Sequence, residues 1–587
     1  SNPCRGPDGW IYVANGLRGG EVRRNGKTIP IGGKDFRFDV VNDRAEAIPG
    51  MGQFGNTFDR WGNRFVCDNR NHLRHVVFHT DPAARNKYLP ARPLIEDVGG
   101  AADGPLSSGT RVYPISRNWT TSNLHAGRFT AACGVFIDRG GLERAGGVSP
   151  RFLSGEKNPG ADAPGSQLAF TCEPTGNLLH AEILTPHGAT FKSKPWKEGV
   201  EFLASADEWF RPVNLAQAPD GSMILIDMYR AVIEHPEFMP PELKQRPDLM
   251  LGKERGRIWR IAPEANKPGR MEPKLDKLVD GLGDANGWRR TTTQRLLTGS
   301  DPKPLEIYAR TTASPDGLIL AAWLLKSKGA LQPVVLDRLA EHRNPRVREH
   351  AVRLLELGTP TAEGFAAFTN DADARVRLQT ALAFGSCPRE GVAPFLIALA
   401  ARDAADPWMR LAVAGSASGC EAAMLSEFLK APMAARSPLV VDFAEMVGSR
   451  RTGGETDEII RELEDLSIEL RRVVLLALAD GMARGGTSFP DYLQSRGNAK
   501  QITRMLVAAT SVSGDTAAAD GPRLAAIRLL GHTPWEYSQE ELSKLIQSPD
   551  AQPSMRQVAL RAAAAHRQPG VSGLLLSGWR SYTPPLR

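Results

Sequence analysis

Short apolar runs separated by turn residues dominate the first half of the chain, a pattern that predicts a sheet-rich region. Met223 to Ile226 is an uninterrupted apolar run, short enough for a buried strand, and it follows the turn Pro219-Asp220-Gly221. Arg257 to Ile261 alternates charged and apolar residues, which predicts a half-buried strand. The segment from Trp209 to Pro263 therefore predicts a small antiparallel sheet.

The same combination of turn and strand recurs upstream. Further strands are predicted at Cys4 to Gly16, Arg64 to Cys67, Phe129 to Asp138, Gln167 to Thr171 and Leu178 to Leu184. Repeats of roughly 40 to 75 residues with about four strands each are typical of a β-propeller. We expect about four blades, with a Gly/Ser-rich insertion at 99–128; the blades fall at 1–50, 51–97, 129–206 and 207–265.

Four blades are few, and the chain opens inside a turn motif. We therefore expect an all-β propeller that is truncated at its N-terminus, with further blades before Ser1. A complete four-bladed propeller is the alternative. After a polar, proline-bearing linker at 266–273, the pattern becomes helical.

From 274 to 587 a short motif recurs: Asn or Asp, then Pro or a polar residue, then an arginine and an apolar helix. Examples begin at Asn344, Asp373, Asp406, Gly521 and Pro553, with a first unit at Gly287 to Leu297. This resembles HEAT repeats and predicts an all-α solenoid that offers a surface to a protein partner. We expect the recurrent arginines to buttress the helix caps. The alternative is phosphate binding, but no interleaved aromatic residues support nucleic acid as a partner.

Composition changes this picture little. The 587 residues carry a net charge of +7 and are 41% hydrophobic, as in ordinary soluble proteins. No run of about 18 apolar residues predicts a membrane span, and no leader is visible, so an export signal would lie outside this sequence. No cysteines have CxxC or CxxCH spacing, which excludes covalent haem attachment within these residues.

Four stretches carry a resemblance to a known family. They are CRGPDGWIYVANG, GMGQFGNTFDRWGNRFVCDN, FTAACGVFIDRG with FTCEPTGNLLHAEIL, and RPVNLAQAPDGSMILIDMYR with RGRIWRI. Their order resembles the glucose/sorbosone dehydrogenase class of six-bladed quinoproteins. The segment DMYRAVIEHPEFMP is similar to the membrane-bound dehydrogenase group of planctomycetes and verrucomicrobia, which often joins the propeller to helical repeats and a cytochrome c domain.

The resemblance implies an exported, periplasmic or cell-surface oxidoreductase that oxidises a sugar or alcohol. Pyrroloquinoline quinone would accept the hydride, with calcium as a further cofactor, and electrons would pass to a c-type cytochrome that lies outside this sequence. On this basis Arg211, Asn214 and Arg128 are predicted to bind the cofactor, and His125 and Asp227 to be catalytic.

Each of these assignments has a structural alternative. Arg211 could pair with Asp207 or Glu208, Asp227 with Arg230, and His125 could be a solvated loop residue.

Two departures from the family favour a different class of function. The family's cofactor arginine falls at Gln53, and its catalytic histidine would lie before Ser1. The alternative is a non-catalytic propeller that binds carbohydrate or protein, with the solenoid as a docking platform.

Two groups of side chains leave further questions. His72, His75 and His79 do not share one face of a strand, so no metal site is predicted among them. Cys133 and Cys172 would face each other if their strands pair, as a disulfide or as a buried thiol pair.

Overall fold

Turn residues divide the first 262 residues into short antiparallel strands. The computed structural model describes residues 2–99, 110–116, 127–140, 166–233, 237, 239, 241–262, 275–430, 438–450, 453–494, 499–548, 550–579 and 582. The strands are β1 Cys4–Arg5, β2 Ile11–Val13, β3 Glu21–Arg24, β4 Lys27–Pro30, β5 Asp35–Asp39, β6 Arg44–Ile48, β7 Gly55–Phe58, β8 Arg64–Cys67, β9 Arg74–Val76, β10 Ile95–Asp97, β11 Cys133–Ile137, β12 Gln167–Glu173, β13 Leu178–His187, β14 Thr190–Pro195, β15 Leu203–Ala204, β16 Pro212–Gln217, β17 Met223–Asp227 and β18 Arg257–Ile261.

Four successive antiparallel sheets occupy the four predicted ranges. Their strand orders are β1-β2-β5-β6, β10-β9-β8-β7, β11-β12-β13-β14 with β15 also on β13, and β16-β17-β18; β3 and β4 form a separate two-stranded pair. The prediction of successive antiparallel sheets is therefore confirmed. Within the described residues none of these sheets closes on itself, so the propeller itself remains a proposal.

The last sheet differs from its prediction at one edge. Met223–Asp227 is the expected inner strand, and its neighbour Arg257–Ile261 pairs with it in full register, from Met223 opposite Ile261 to Asp227 opposite Arg257. Four of the five residues in Arg257–Ile261 are exposed, however. The expectation of a half-buried strand is wrong there, because only Ile261 of this edge strand packs against the apolar core.

First strands of neighbouring sheets approach each other closely. The amide of Gly134 on β11 donates to the carbonyl of Phe54, beside β7, at 3.2 Å. On the other side of β11, a Cβ added to Gly134 would lie 2.6 Å from the carbonyl oxygen of Val213 on β16. The backbone φ of Gly134 is +57°. Only glycine meets both demands without strain. One apolar cluster joins the second and third sheets, and a separate one joins the third and fourth.

Helices form the remainder of the described chain. Their bounds are α1 Pro82–Arg85, α2 Pro241–Lys244, α3 Gly287–Leu296, α4 Pro302–Thr311, α5 Pro315–Ser327, α6 Pro333–Ala340, α7 Pro345–Glu356, α8 Ala362–Thr369, α9 Ala374–Phe384, α10 Ala393–Asp403, α11 Pro407–Ser416, α12 Glu421–Lys430, α13 Pro438–Arg450, α14 Gly453–Glu462, α15 Ile468–Arg484, α16 Phe489–Gln494, α17 Ala499–Thr510, α18 Asp520–Leu530, α19 Trp535–Gln547, α20 Pro553–Ala564 and α21 Val571–Leu576. Short 3₁₀ turns lie at Leu275–Gly283, Leu297–Gly299 and Leu463–Asp465. Among the described helices, none combines the length and hydropathy that crossing a bilayer requires.

The recurrent arginines have the structural role that the sequence predicted. Three of them donate to a main-chain carbonyl six residues earlier, in the turn before the arginine's own helix: Arg348 to His342 at 2.8 Å, Arg377 to Asp371 at 2.7 Å and Arg410 to Ala404 at 3.1 Å. The guanidinium thus satisfies carbonyls that the turn leaves unpaired. The side chains of Asn344 and Asp406 cap α7 and α11, as expected.

The chain folds as two compact units, each described here by itself. The first comprises Ser1–Asp81, Arg92–Pro360 and Asp371–Thr380, and the second Pro82–Ala91, Thr361–Asn370 and Ala381–Arg587. The first unit holds the four sheets together with the helices from α3 to α7. The second is helical and includes a short segment around α1, where Asn86 donates to the Ala414 carbonyl at 3.1 Å. Individual HEAT repeats remain a proposal for this all-helical region.

Candidate metal centre

Strand β13 carries two ionisable side chains on one buried face. His180 and Glu182 are two residues apart in the run LLHAEIL, so both point to the same side of the strand. They are 3% and 1% exposed. Burying a carboxylate and an imidazole on an otherwise apolar strand is costly unless each has a strong partner.

His72 reaches the same place from the second sheet. Its main-chain oxygen accepts a hydrogen bond from the Thr171 hydroxyl at 3.0 Å, which ties the chain before β9 to β12. Its ring stacks on Phe129, with centroids 4.3 Å apart and planes at 4°. Nε2 of His72 lies 3.0 Å from Oε1 of Glu182, yet it makes no aligned hydrogen bond within the described part of the chain.

The three side chains have the geometry of a small ligand set. One ligand atom from each of His72, His180 and Glu182 lies within 4.8 Å of the other two. The Glu182 oxygen is 3.0 Å from Nε2 of His72 and 3.4 Å from Nε2 of His180. Tetrahedral ligands with bonds of about 2.1 Å lie about 3.4 Å apart. Two imidazoles and one carboxylate suit Zn²⁺, Fe²⁺ and similar divalent ions.

A second layer of groups orients these ligands. Nδ1 of His180 lies 2.7 Å from Oε2 of Glu201, whose other oxygen accepts the amide of Tyr113 at 2.8 Å. A carboxylate on the far nitrogen of a histidine fixes its tautomer and presents the near nitrogen to an ion. The Thr110 hydroxyl lies 2.6 Å from Oε1 of Glu182, and Ser193 donates to Oε2.

Close packing leaves little room for substitution beside His72. A Cβ on Gly99 would lie 2.3 Å from Cε1 of the His72 ring. Any other residue at 99 would therefore displace the imidazole from Glu182. Gly99 also offers its carbonyl to the Thr110 hydroxyl at 2.7 Å, so Gly99 and Thr110 both lie against the cluster.

The electrostatics of the cluster require positive charge. Burial alone would lower the pKa of His180, but hydrogen bonds to Glu182 and Glu201 and their charge outweigh it and raise that pKa to about 9. Burial would raise the pKa of Glu182, but His72 and His180 hold it well below its usual range. Two buried carboxylates are thus balanced either by two protonated histidines or by one divalent ion with neutral ligands.

Arg211, predicted to bind the cofactor, contacts main-chain carbonyls instead. Its guanidinium donates to the oxygens of Pro174 at 2.8 Å, Arg230 at 3.0 Å and Ala231 at 2.7 Å. Burial lowers its pKa to about 10. Neither Asp207 nor Glu208 forms an ion pair with Arg211. Its structural role is therefore to bind carbonyls, not to form the ion pair that was the structural alternative predicted from the sequence.

The other predicted residues are also occupied or lie elsewhere. Asp227 is buried and accepts the Arg211 amide at 2.8 Å, the Tyr229 amide at 2.8 Å and the Trp259 indole at 3.0 Å. Asn214 exchanges amide contacts with Asn2 at 3.2 and 3.4 Å. Arg128 forms a β-bridge with Arg111, and His125 lies outside the described residues.

A quinone does not fit this predicted set. Pyrroloquinoline quinone needs guanidinium and amide donors that face an open space, whereas the described donors of Arg211 and Asn214 are directed to protein oxygens. Gln53, at the family's arginine position, accepts the Asn69 amide at 3.0 Å. Asp227, whose oxygens are of the kind that calcium prefers, is already engaged by three donors.

Cys133 and Cys172 face each other, as the sequence predicted for paired strands. They are register partners on β11 and β12. Both are buried, and both are free thiols in this structure. Burial raises the pKa of each well above its usual range, so neither is a reactive thiolate at neutral pH.

No local pattern in the sequence predicted the cluster of His72, His180 and Glu182. The sequence groups His72 with His75 and His79, but the ring of His75 contacts Thr190 at 2.8 Å and packs on Phe65. The only local indication of a site was the sequence His-Ala-Glu within an otherwise apolar strand. The third ligand, 108 positions before His180, could not be paired with it by spacing.

The described chain is thus a sheet-rich region with a buried His–His–Glu cluster, followed by helices. Residues 1–265 match the family model of a domain of unknown function, DUF7133. No curated protein matches the chain. The matched range coincides with the four sheets and includes all three residues of the cluster.

Proposed function

We propose that the sheet-rich region is a metal-binding domain that holds one divalent transition-metal ion between His72, His180 and Glu182. The observation that carries this proposal is the convergence of three ligand atoms within 4.8 Å at a fully buried position. His72 comes from the second sheet and the other two residues from the third. The ion would therefore join two sheets and add its binding free energy to folding.

The charge balance of the cluster is compatible with a divalent ion, and the nitrogen of His72 that has no hydrogen-bond partner in the described structure favours one. With neutral histidines, Glu182 and Glu201 leave two negative charges in the interior, which one divalent ion neutralises. Nε2 of His72 would then have the partner that it lacks among the described residues. The Nδ1 contact of His180 with Glu201 already selects the tautomer that an ion requires.

Metal analysis of the purified chain tests this proposal. The chain is freed of metal with a chelator, titrated with Zn²⁺, Fe²⁺, Mn²⁺ or Co²⁺, and measured for bound metal and for its unfolding midpoint. We expect one tightly bound ion per chain and a midpoint that rises on loading. Cobalt would give the visible spectrum of a site with two nitrogen ligands and no thiolate.

His75 provides a matched control, because it is as buried as His72 and lies three residues away. We expect His72→Gln, His180→Gln and Glu182→Gln to lose the ion and His75→Gln to keep it. Equal metal content in His72→Gln and the wild type would contradict the proposal. So would a wild-type chain that binds no ion while folded.

A second candidate function is the oxidation of a sugar or alcohol that the resemblance implies. One observation favours it: burial raises the pKa of Glu173 to about 7, where a general base must titrate to act near neutral pH. Glu173 accepts the Thr130 and Ala131 amides, beside the segment whose Phe129 stacks on His72. The metal would act as a Lewis acid for the substrate hydroxyl.

Dye reduction by the metal-loaded chain with a panel of sugars and alcohols tests this candidate. A matched assay adds pyrroloquinoline quinone and calcium. Activity that is lost in Glu173→Gln but retained in His75→Gln would support it. If the metal-loaded chain reduces no dye, with or without quinone, the oxidation proposal fails. The sheet-rich region would then be a non-catalytic binding domain. Export, a cytochrome partner and a protein partner for the helices remain parts of this second proposal.

A further inference from the structure

A partly open cavity lies between the first two sheets and the helices α3 and α5 of the same unit. Its volume is about 40 Å³, enough for about three water molecules or one small anion. Four arginines and two aspartates line it, a formal excess of two positive charges: Arg5, Arg60, Arg139, Arg290, Asp59 and Asp316. The metal cluster shares none of these residues.

The negative charges of the lining are already engaged. Asp316 receives a two-pronged contact from Arg60, at 2.7 and 2.6 Å. Asp59 accepts the amides of Trp61 and Asn63, each at 2.8 Å. Burial raises the pKa of Asp59, which weakens it further as a counter-charge. Asp316 also lies 3.7 Å from Nε of Arg290, so its charge is shared between Arg60 and Arg290.

Arg139 is less fully engaged than Arg290, whose guanidinium also donates to the Arg139 carbonyl at 3.0 Å. Arg290 is 4% exposed and donates to the carbonyls of Asp284 and Ala285 at 2.6 and 2.8 Å. Arg139 reaches the Thr291 hydroxyl at 3.3 Å, and its Nε finds no hydrogen-bond partner in the part of the chain that the structure describes. A buried guanidinium nitrogen without an acceptor is costly, and an oxyanion would supply that acceptor.

We infer that this cavity binds a dianionic oxyanion of the phosphate type. Two charges on the ligand would neutralise the excess of the lining, and the guanidinium forks match the geometry of phosphate oxygens. The source is either inorganic phosphate or the phosphate end of a small ester such as a sugar phosphate. This inference is independent of the proposed metal site.

Thermal unfolding of the full chain at constant ionic strength tests the inference. Inorganic phosphate, glucose 6-phosphate and sodium chloride are titrated separately against the wild type, Arg139→Gln and Arg289→Gln. Arg289 lies next to Arg290 but does not line the cavity. We expect phosphate to raise the unfolding midpoint saturably in the wild type and in Arg289→Gln, with at least a tenfold loss of affinity in Arg139→Gln.

Further outcomes of this experiment distinguish the two possible ligands and show when the inference fails. If glucose 6-phosphate binds with higher affinity than inorganic phosphate, the ligand is a phosphate ester. If it binds with equal or lower affinity, the ligand is inorganic phosphate. The same midpoint shift with sodium chloride, or an unchanged response in Arg139→Gln, would overturn the inference. If Arg139→Gln does not fold, Arg5→Gln takes its place. Repeating the titration in His72→Gln shows that any shift is separate from metal binding.

Discussion

Glu173 shows how a single buried residue links the fold to pH. It ends strand β12 with 1% of its surface exposed, and burial raises the pKa of its carboxyl from 4.5 to about 7. The amides of Thr130 and Ala131 donate to it at 3.3 and 3.1 Å and limit the rise. The folded chain thus retains a proton that the unfolded chain releases.

This proton predicts a pH dependence of the free energy of unfolding. The pKa of Glu173 is higher in the folded chain than in the unfolded chain. The protonated carboxyl therefore contributes its full stabilisation of the folded state below pH 4.5, and this stabilisation is lost as the pH rises through about 7. Its full size is about 3 kcal/mol. Urea unfolding at pH 5 and pH 8 should show the wild type losing about 1–3 kcal/mol more than Glu173→Gln. Parallel pH profiles for the two chains would contradict this.

Arg211 predicts a loss of stability rather than of cofactor binding. Lysine cannot replace its contacts with the three carbonyls of Pro174, Arg230 and Ala231, so Arg211→Lys should lower the free energy of unfolding by about 2–4 kcal/mol. The exposed Arg255 serves as control, and Arg255→Lys should change it by less than about 0.5 kcal/mol. An Arg211→Lys chain of wild-type stability that fails to bind quinone would restore the cofactor assignment.

At this scale the sequence predicted geometry better than roles. The facing of Cys133 and Cys172 followed from strand pairing alone. The position of each recurrent arginine after a capping residue predicted a structural role at the cap, but not which carbonyls its guanidinium contacts. The role of Arg211 could not be predicted in this way. Its acceptors are carbonyls of distant turns, which carry no signature in side-chain identity.

Strand β11 illustrates the constraints at the scale of an element. It lies between β7 and β16, and Gly134 allows both approaches. The order and range of the sheets could be predicted because turns and apolar runs are local. Exposure of Arg257–Ile261 could not, because alternation does not reveal what covers each face of an edge strand.

A comparison of two glycines distinguishes the cost of backbone strain from the cost of a steric clash. Gly134 and Gly199 both have positive φ, +57° and +72°, but a Cβ would meet the Val213 carbonyl only at Gly134; nothing lies within 4 Å of the one at Gly199. We expect Gly199→Ala to cost about 1 kcal/mol of unfolding free energy and Gly134→Ala about 3 kcal/mol or more. Chemical denaturation measures both. Equal costs would show that β11 and β16 can move apart.

At the scale of the whole molecule, composition placed the domain boundary in the linker at 266–273. The first compact unit includes the helices through α7, and specific contacts join them to the sheets. His350 on α7 contacts the Trp61 carbonyl at 2.9 Å, and the Gln294 amide donates to the Pro7 carbonyl at 2.7 Å. Such contacts between residues hundreds of positions apart leave no trace in a local pattern.

Glu349 provides the sharpest test of this coupling. Its carboxylate lies 2.7 Å from Arg346 and 3.2 Å from Arg375, and Arg375 also donates to Asn63 and to the Ala189 carbonyl in the sheets. The charge of Arg375 and Arg346 outweighs burial and holds the pKa of Glu349 well below its usual range. Glu349→Gln removes the carboxylate partner of the buried Arg375, whereas Arg346 keeps Asp373, so we expect the first unit to lose about 3–5 kcal/mol.

Hydrogen exchange distinguishes coupling from a purely local effect of that substitution. Because Arg375 joins Glu349 to Asn63 and Ala189, amides of β7, β8 and β14 should exchange faster in Glu349→Gln, together with those of α7. The exposed pair of Glu427 and Lys430 provides the control, since surface pairs contribute little, and Glu427→Gln should leave every sheet amide unchanged. Faster exchange confined to α7 and α9 would mean that the sheets hold together without these helices. Faster exchange that extends into β7 and β8 would mean that the stable folding unit is longer than the 265 residues that match the family.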